Sequence, residues 1–206
     1  MQTIDYMAIK SIGVFCGSSI GAREIYSVKA AELGKLMAKS NIDLIFGGGK
    51  VGLMGVIADE TMKNGGHAIG VMPQMLLEKE VGHNGLNEMR IVENMSERKN
   101  LINDLSDAFI AMPGGFGTLD EVMEVLTYFQ LGWSEKPVGF LNIDGYYDHL
   151  IALMDHIMEE KFMKYEHRHN VIVKSEPQEL LDAITNFKPL AVDEKWIAEL
   201  KERKTY

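Results

Sequence analysis

The sequence predicts a single-domain α/β protein, a doubly wound, Rossmann-like parallel sheet with helices on both faces. Three observations lead to it. Short β-rich apolar runs alternate with longer segments of helical period, the pattern of a parallel sheet covered by helices. Three glycine-rich stretches each follow one of these runs and precede a helical segment. The 206 residues are 46% hydrophobic and 25% charged, which suits a packed core and excludes disorder as the main state.

A first strand is expected over 12–16, closed by Gly17-Ser18-Ser19, and the spacing of Ile25, Val28, Leu33, Leu36 and Met37 predicts a helix over 22–39. Residues 44–46 repeat the strand pattern. Gly47-Gly48-Gly49-Lys50-Val51-Gly52 follows, then a helix over 53–63 that Asn64-Gly65-Gly66 ends. A third strand over 68–72 stops at Pro73. From 74 to 94 the periodicity is weak and Gly82, Asn84 and Gly85 cluster, so this stretch reads as an excursion or lid with a short strand at 89–92. Order returns with a helix over 96–105, a strand over 108–112, and a long helix opening near Thr118 and ending at Leu131-Gly132. A buried strand over 138–141, an amphipathic helix over 146–160, a short strand over 171–173 and a helix from Pro177 complete the pattern. Residues 1–190 form the expected domain; 191–206, with Trp196 among charges, form a tail or a docking helix.

Lys and Arg number 21 against 30 Asp and Glu, a formal charge of −9, so the surface as a whole repels nucleic acid and anionic membranes. Any bound anion must meet a local site. Cys16 is the only cysteine, so no internal disulfide forms, and the N-terminus reads as neither signal peptide nor anchor. A cytoplasmic protein is the expectation.

The three glycine-rich stretches fall at the carboxyl edge of the predicted sheet, where such folds bind ligands. Gly47-x-Gly49-x-x-Gly52 matches the dinucleotide fingerprint in form, but the strand over 68–72 runs into Pro73-Gln74 where an acid is needed, which argues against NAD. Walker A is absent, because Val51 follows Lys50. Glycines serving only tight turns remain an alternative for this stretch. The strongest motif is Pro113-Gly114-Gly115-Phe116-Gly117-Thr118-Leu119-Asp120-Glu121: a turn that gives a ligand close access to the backbone and exposes unpaired N–H groups at a helix start. Such a start is suited to a phosphate, with the Thr118 hydroxyl as a further donor. The competing reading makes Thr118-x-x-Glu121 a capping box. Ser96-Glu97-Arg98-Lys99 puts two cations in a first helical turn, where the macrodipole disfavours them unless an anion is near. Whether that helix starts at the sheet's carboxyl edge is left open by the sequence.

Arg98-Lys99 together with Pro113-Gly114-Gly115-x-Gly117-Thr118-x-x-Glu121 resembles the Lonely Guy (LOG) family of cytokinin riboside 5′-monophosphate phosphoribohydrolases, long mislabelled lysine decarboxylases. The resemblance runs from about residue 12 to 173 and takes in Cys16-Gly17-Ser18-Ser19, Gly47-Gly48-Gly49, Gly52-Leu53-Met54-Gly55, Lys136-Pro137-Val138-Gly139 and Asp144-Gly145-Tyr146-Tyr147. It implies a catalytic pair, Arg98 and Glu121. It also implies a phosphate cradle of Gly114, Gly115, Gly117 and Thr118, further contacts from Glu80, Lys99 and Thr127, and an edge formed by Gly17, Ser18 and Gly48. Where the family pattern has Gly-Glu after Val81-Gly82, this chain has His83-Asn84, a departure that bears on base preference more than on reaction type.

The implied reaction splits the N-glycosidic bond of a nucleoside 5′-monophosphate, without a metal or redox cofactor. The alternative is a nucleotide or molybdenum-cofactor carrier of the same fold. A pyridoxal-phosphate decarboxylase fits poorly, since no His-Lys pair occurs in the chain. His167-Arg168-His169 lacks the spacing of a zinc site and is read as surface. Val122, Met123, Val125, Leu126 and Phe129 cover more of the long helix than the stripe needed to sit on a sheet, so a homodimer through that helix is expected; a fully buried helix would show the same pattern.

Overall fold

A computed structural model describes residues 9–77 and 82–191. Among these residues, seven parallel strands are β1 (Ser11–Phe15), β2 (Asp43–Phe46), β3 (Ala68–Pro73), β4 (Glu88–Val92), β5 (Ala108–Ala111), β6 (Val138–Leu141) and β7 (Val171–Lys174), in the order β4-β3-β2-β1-β5-β6-β7. The helices are α1 (Glu24–Lys39), α2 (Gly52–Lys63), the single turn α3 (Gln74–Leu77), α4 (Met95–Leu105), α5 (Phe116–Gln130), α6 (Asp148–Glu159), the short α7 (Tyr165–His169) and α8 (Pro177–Thr185).

The sheet is wound on both sides because each face is apolar. Leu33 and Met37 of α1, Leu53 and Ile57 of α2, and Leu180 and Ile184 of α8 pack with Ile12, Val14 and Leu44 in one core. Ile102 of α4, Val122 and Val125 of α5, and Met154 of α6 meet Phe109, Phe140 and Val71 in the other. The strand order reverses at β1, which has β2 on one side and β5 on the other. That switch point opens a crevice at the carboxyl ends of the strands.

Two elements settle what periodicity left open. β4 pairs with β3 as the edge strand, so α4, which carries the chain back across the sheet to β5, begins at the carboxyl edge and brings Arg98 there. α5 begins at Phe116 with Gly115 as its N-cap, two residues before the predicted start near Thr118; Phe116 and Gly117 are exposed and leave no buried-face pattern in the sequence. One expectation is corrected: His167 is buried, at 6% exposure, because α7 folds back against β7 and α6. Glu80 and the tail over 192–206 lie outside the described residues. Among those described, no helix is long and apolar enough to cross a membrane.

Candidate active site

The three glycine-rich loops interlock at the switch point. The Gly17 N–H donates to the Pro113 carbonyl (3.0 Å), and the Leu53 N–H donates to the Gly17 carbonyl (3.0 Å). Gly52 sits at φ +66° with its Cα against the backbone of Ser18, where a Cβ would come within 2.2 Å of the Ser18 carbonyl carbon. A side chain there would force the β1 and β2 loops apart.

Arg98 and Glu121 meet in this crevice. The Arg98 Nη1 donates to Glu121 Oε1 at 2.7 Å, and its Nε donates to the Val71 carbonyl in β3 (3.1 Å). Both side chains are nearly sealed, 11% and 10% exposed. The guanidinium lies over Gly47, where a Cβ would fall 2.0 Å from Nη2, so a bare backbone at that loop makes room for it. The unusual cation in the first turn of α4 therefore has its anion: a carboxylate reaching in from α5. Asn94 supplies the cap of α4, accepting from the Glu97 N–H (2.9 Å).

This geometry removes the capping-box reading. Thr118 lies inside α5, past the Gly115 N-cap, and Glu121 points to Arg98 rather than back along its own helix. Burial pushes the Glu121 carboxyl above its usual range, against the opposing pull of the Arg98 guanidinium. A carboxyl perturbed by burial, beside a permanent cation and in a crevice, marks Glu121 as a candidate functional group. Cys16, at the end of β1, is unsuited to nucleophilic chemistry: burial, reinforced by the Glu121 charge, pushes its thiol far up.

The first turn of α5 offers its unpaired N–H groups beside the pair. Residues 115–117 are exposed, Thr118 is buried, and the bulky Phe116 is 92% exposed at the mouth. From Thr118 to Glu121 is three residues, an axial rise of about 4.5 Å, so an anion at the helix start and a group beside Glu121 fit one small molecule.

The structure does not gather every expected contact. Lys99 turns to α5, bonding Glu124 at 2.8 Å and Asp120 at 3.3 Å, and the Glu124 bond pushes its ammonium up. That direction is opposite to the lowered pKa of a Schiff-base lysine. Thr127 lies about 9 Å further along α5 than Glu121 and on a different face, where it lines an apolar groove with Met123, Phe129 and Ile157. Gly48 (φ +75°) accepts from the His83 N–H (2.9 Å), and Gly49 bridges to Gly82, so the excursion returns to the mouth of the site. His83 is fixed there by Asp59 Oδ1 (2.9 Å), which puts the His83-Asn84 departure beside the β2 loop. Among the described residues, no cluster of His, Cys, Asp and Glu could hold a metal ion.

Two residues without a role assigned from sequence bond the segment between β5 and α5. The Tyr147 hydroxyl donates to the Met112 carbonyl (2.5 Å) and the Tyr146 hydroxyl to the Gly114 carbonyl (2.6 Å). The available signal was their place just after β6, at the same sheet edge as the glycine loops.

An α/β protein with its ligand crevice at the switch point of a parallel sheet, a glycine-rich helix start and a buried Arg–Glu pair is the class defined so far. Comparison with known proteins narrows it. Residues 54–184 match the family described as possible lysine decarboxylase. A probable cytokinin riboside 5′-monophosphate phosphoribohydrolase of Oryza sativa subsp. japonica is 42% identical over 93% of this chain and 78% of its own. A cytokinin riboside 5′-monophosphate phosphoribohydrolase of Arabidopsis thaliana is 43% identical over 87% of this chain and 84% of its own. Among solved structures, the molybdenum cofactor binding protein of Rippkaea orientalis superposes with TM-score 0.67 at 26% identity, covering 86% of this chain and 96% of that one. The chain belongs to the LOG family, to which these phosphoribohydrolases belong and which also carries the decarboxylase description.

Proposed function

We propose that this chain hydrolyses the N-glycosidic bond of nucleoside 5′-monophosphates, of the cytokinin riboside or AMP type, to free base and ribose 5-phosphate. The observation that carries the reading is the sealed Arg98–Glu121 pair one helical turn from an open, glycine-rich helix start. The terminal phosphate sits on the first-turn N–H groups of α5, held by Gly114, Gly115, Gly117 and Thr118, with Gly17, Ser18 and Gly48 forming the facing edge. Glycosidic cleavage builds positive charge on the ribose ring. The Glu121 carboxylate stabilises that charge and orients the attacking water, as carboxylates do in glycosidases. Arg98 holds the ribose and fixes Glu121; its charge is too permanent for ready proton donation. Glu80 is proposed as a further contact; Lys99, bonded to Glu124, and Thr127, in the apolar groove, stand apart from this set. No metal or redox group is required for this step.

A carrier without chemistry is the second reading, which the likeness to the Rippkaea orientalis protein allows. The 42–43% identical relatives named as hydrolases outweigh it. A panel of nucleoside 5′-monophosphates incubated with purified protein and assayed for ribose 5-phosphate separates the two. Release from at least one member supports hydrolysis, and tight binding with return of intact nucleotide supports the carrier.

The rate should also report the Glu121 environment. Activity needs the carboxylate, and burial raises its pKa, so kcat/KM should fall as pH drops through a value above the ordinary 4.5. An acid limb at or below 4.5 in a pH–rate profile would contradict the assignment.

The assembly proposed is a cytoplasmic homodimer. The second apolar stripe of α5, Met123, Leu126 and Phe129, faces a groove shared with α6, α7 and the exposed Phe162, while Val122 and Val125 face the sheet. A helix apolar on two sides with one side open needs a second partner. Light scattering at micromolar concentration should give twice the monomer mass, reduced toward the monomer by Met123→Glu or Phe129→Glu. A monomer mass for the unaltered chain would reject the dimer.

A further inference from the structure

The segment joining β6 to α6 is built as a bracket behind the cradle. Asn142 closes its base: Oδ1 accepts from the Tyr147 N–H (2.7 Å) and Nδ2 donates to Asp148 Oδ1 (2.8 Å). Asp144 at φ 50° and Gly145 at φ 75° reverse the chain between them, which delivers Tyr146 and Tyr147 in succession to the carboxyl edge. The two rings meet edge to face at 4.9 Å, and Tyr26 of α1 meets Tyr146 at 5.8 Å and 79°, so the Tyr146 ring is held on two sides.

The two hydroxyls act on different peptide groups. In a trans peptide the carbonyl and the following N–H point in opposite directions. Tyr147 binds the carbonyl of Met112, and the next residue is Pro113, which has no N–H; that bond anchors the end of β5 and steers no donor. Tyr146 binds the carbonyl of Gly114, and the next residue is Gly115, the N-cap of α5. Holding that carbonyl toward Tyr146 turns the Gly115 N–H the other way. Gly115 and Gly117 border open space, with no atom within 4 Å of a Cβ built on either.

We propose that Tyr146 is a positioning residue of the phosphate cradle, holding the Gly114 carbonyl away from the ligand so that the Gly115 N–H faces the phosphate. The proposal rests on the reading of 113–118 as the anion site. Without the hydroxyl, the glycine-flanked peptide is free to rotate, and its carbonyl oxygen then faces an anion in place of a donor. Tyr146 touches no reacting atom, so its effect falls on phosphate binding and leaves the bond-breaking step alone.

The test compares Tyr146→Phe with Tyr147→Phe, both of which keep their rings. Tyr146→Phe should raise KM for AMP, or for whichever monophosphate the panel selects, about tenfold with kcat within about twofold. The Kd of ribose 5-phosphate, read by calorimetry, should rise by the same factor, and the melting temperature should hold. Tyr147→Phe should lower the melting temperature and leave KM and Kd unchanged. Unchanged KM and Kd in Tyr146→Phe, or a fall in kcat with KM intact, would overturn the role. The calorimetric arm separates the two layers of inference. Ribose 5-phosphate binding that weakens in Tyr146→Phe supports the role even where no nucleotide is hydrolysed, while an unaltered protein that binds no ribose 5-phosphate overturns the cradle and Tyr146 together.

Discussion

Glu121→Gln is expected to lower kcat/KM at least about 100-fold, a loss of roughly 2.7 kcal/mol of transition-state stabilisation, while the protein stays folded. The glutamine keeps the size of the side chain, and its amide oxygen can still accept from Arg98 Nη1 in place of Glu121 Oε1. It removes the negative charge, which is the property a developing oxocarbenium ion needs. Stability should not suffer at neutral pH. A carboxyl whose folded pKa is raised favours folding most at pH below its ordinary value, and that contribution is lost as pH rises through the raised value. The amide thus removes a charge that burial disfavours, and the hydrogen bond its oxygen keeps to Arg98 offsets part of the cost of leaving that guanidinium without a counter-ion. Kinetics and thermal melts on the same preparation check both parts. A lowered melting temperature with the rate per folded molecule intact would make Glu121 a structural residue.

Removing the terminal phosphate from the substrate should have an effect of similar size. Adenosine should be turned over with kcat/KM at least about 100-fold below that of AMP, because the phosphate site proposed at the start of α5 would hold the ribose against Glu121 only when a phosphate engages it. Cyclic and diphosphate forms should also be poor, since neither presents a single terminal phosphate at the right distance. Free base released at measured concentrations of each compound gives the comparison. Equal turnover of adenosine and AMP would separate the cradle from the chemistry.

Both expectations draw on features the chain displays before it folds, and the line between legible and illegible is physical. Strands such as β1, β5 and β6 are short apolar runs bounded by Gly or Pro, and a parallel sheet buried on both faces leaves that signature. The glycine loops were legible for the same reason: tight strand-to-helix turns admit few other residues. Arg98 was legible as an anomaly, a cation where the helix dipole opposes it, whereas Glu121 as its partner came only from the family resemblance and from no local pattern. The Arg98–Glu121 bond joins residues on α4 and α5 whose meeting depends on β4 being the edge strand, and β4 is a half-exposed run with weak alternation. The first turn of α5 escaped because Phe116 and Gly117 face solvent and carry no apolar period. His167 escaped because its burial comes from a five-residue helix too short to show a period at all. Tyr146 and Tyr147 act through hydroxyls on carbonyls more than thirty residues away, a relation that no local pattern encodes.

The identity of the products decides whether the chain cleaves the N-glycosidic bond. A nucleoside 5′-monophosphate from the active panel, incubated with the unaltered protein and resolved by ion-exchange chromatography, should yield free base and ribose 5-phosphate in equal amounts, with no nucleoside and no inorganic phosphate. Nucleoside with inorganic phosphate, or complete recovery of the intact nucleotide from every member of the panel, would contradict it.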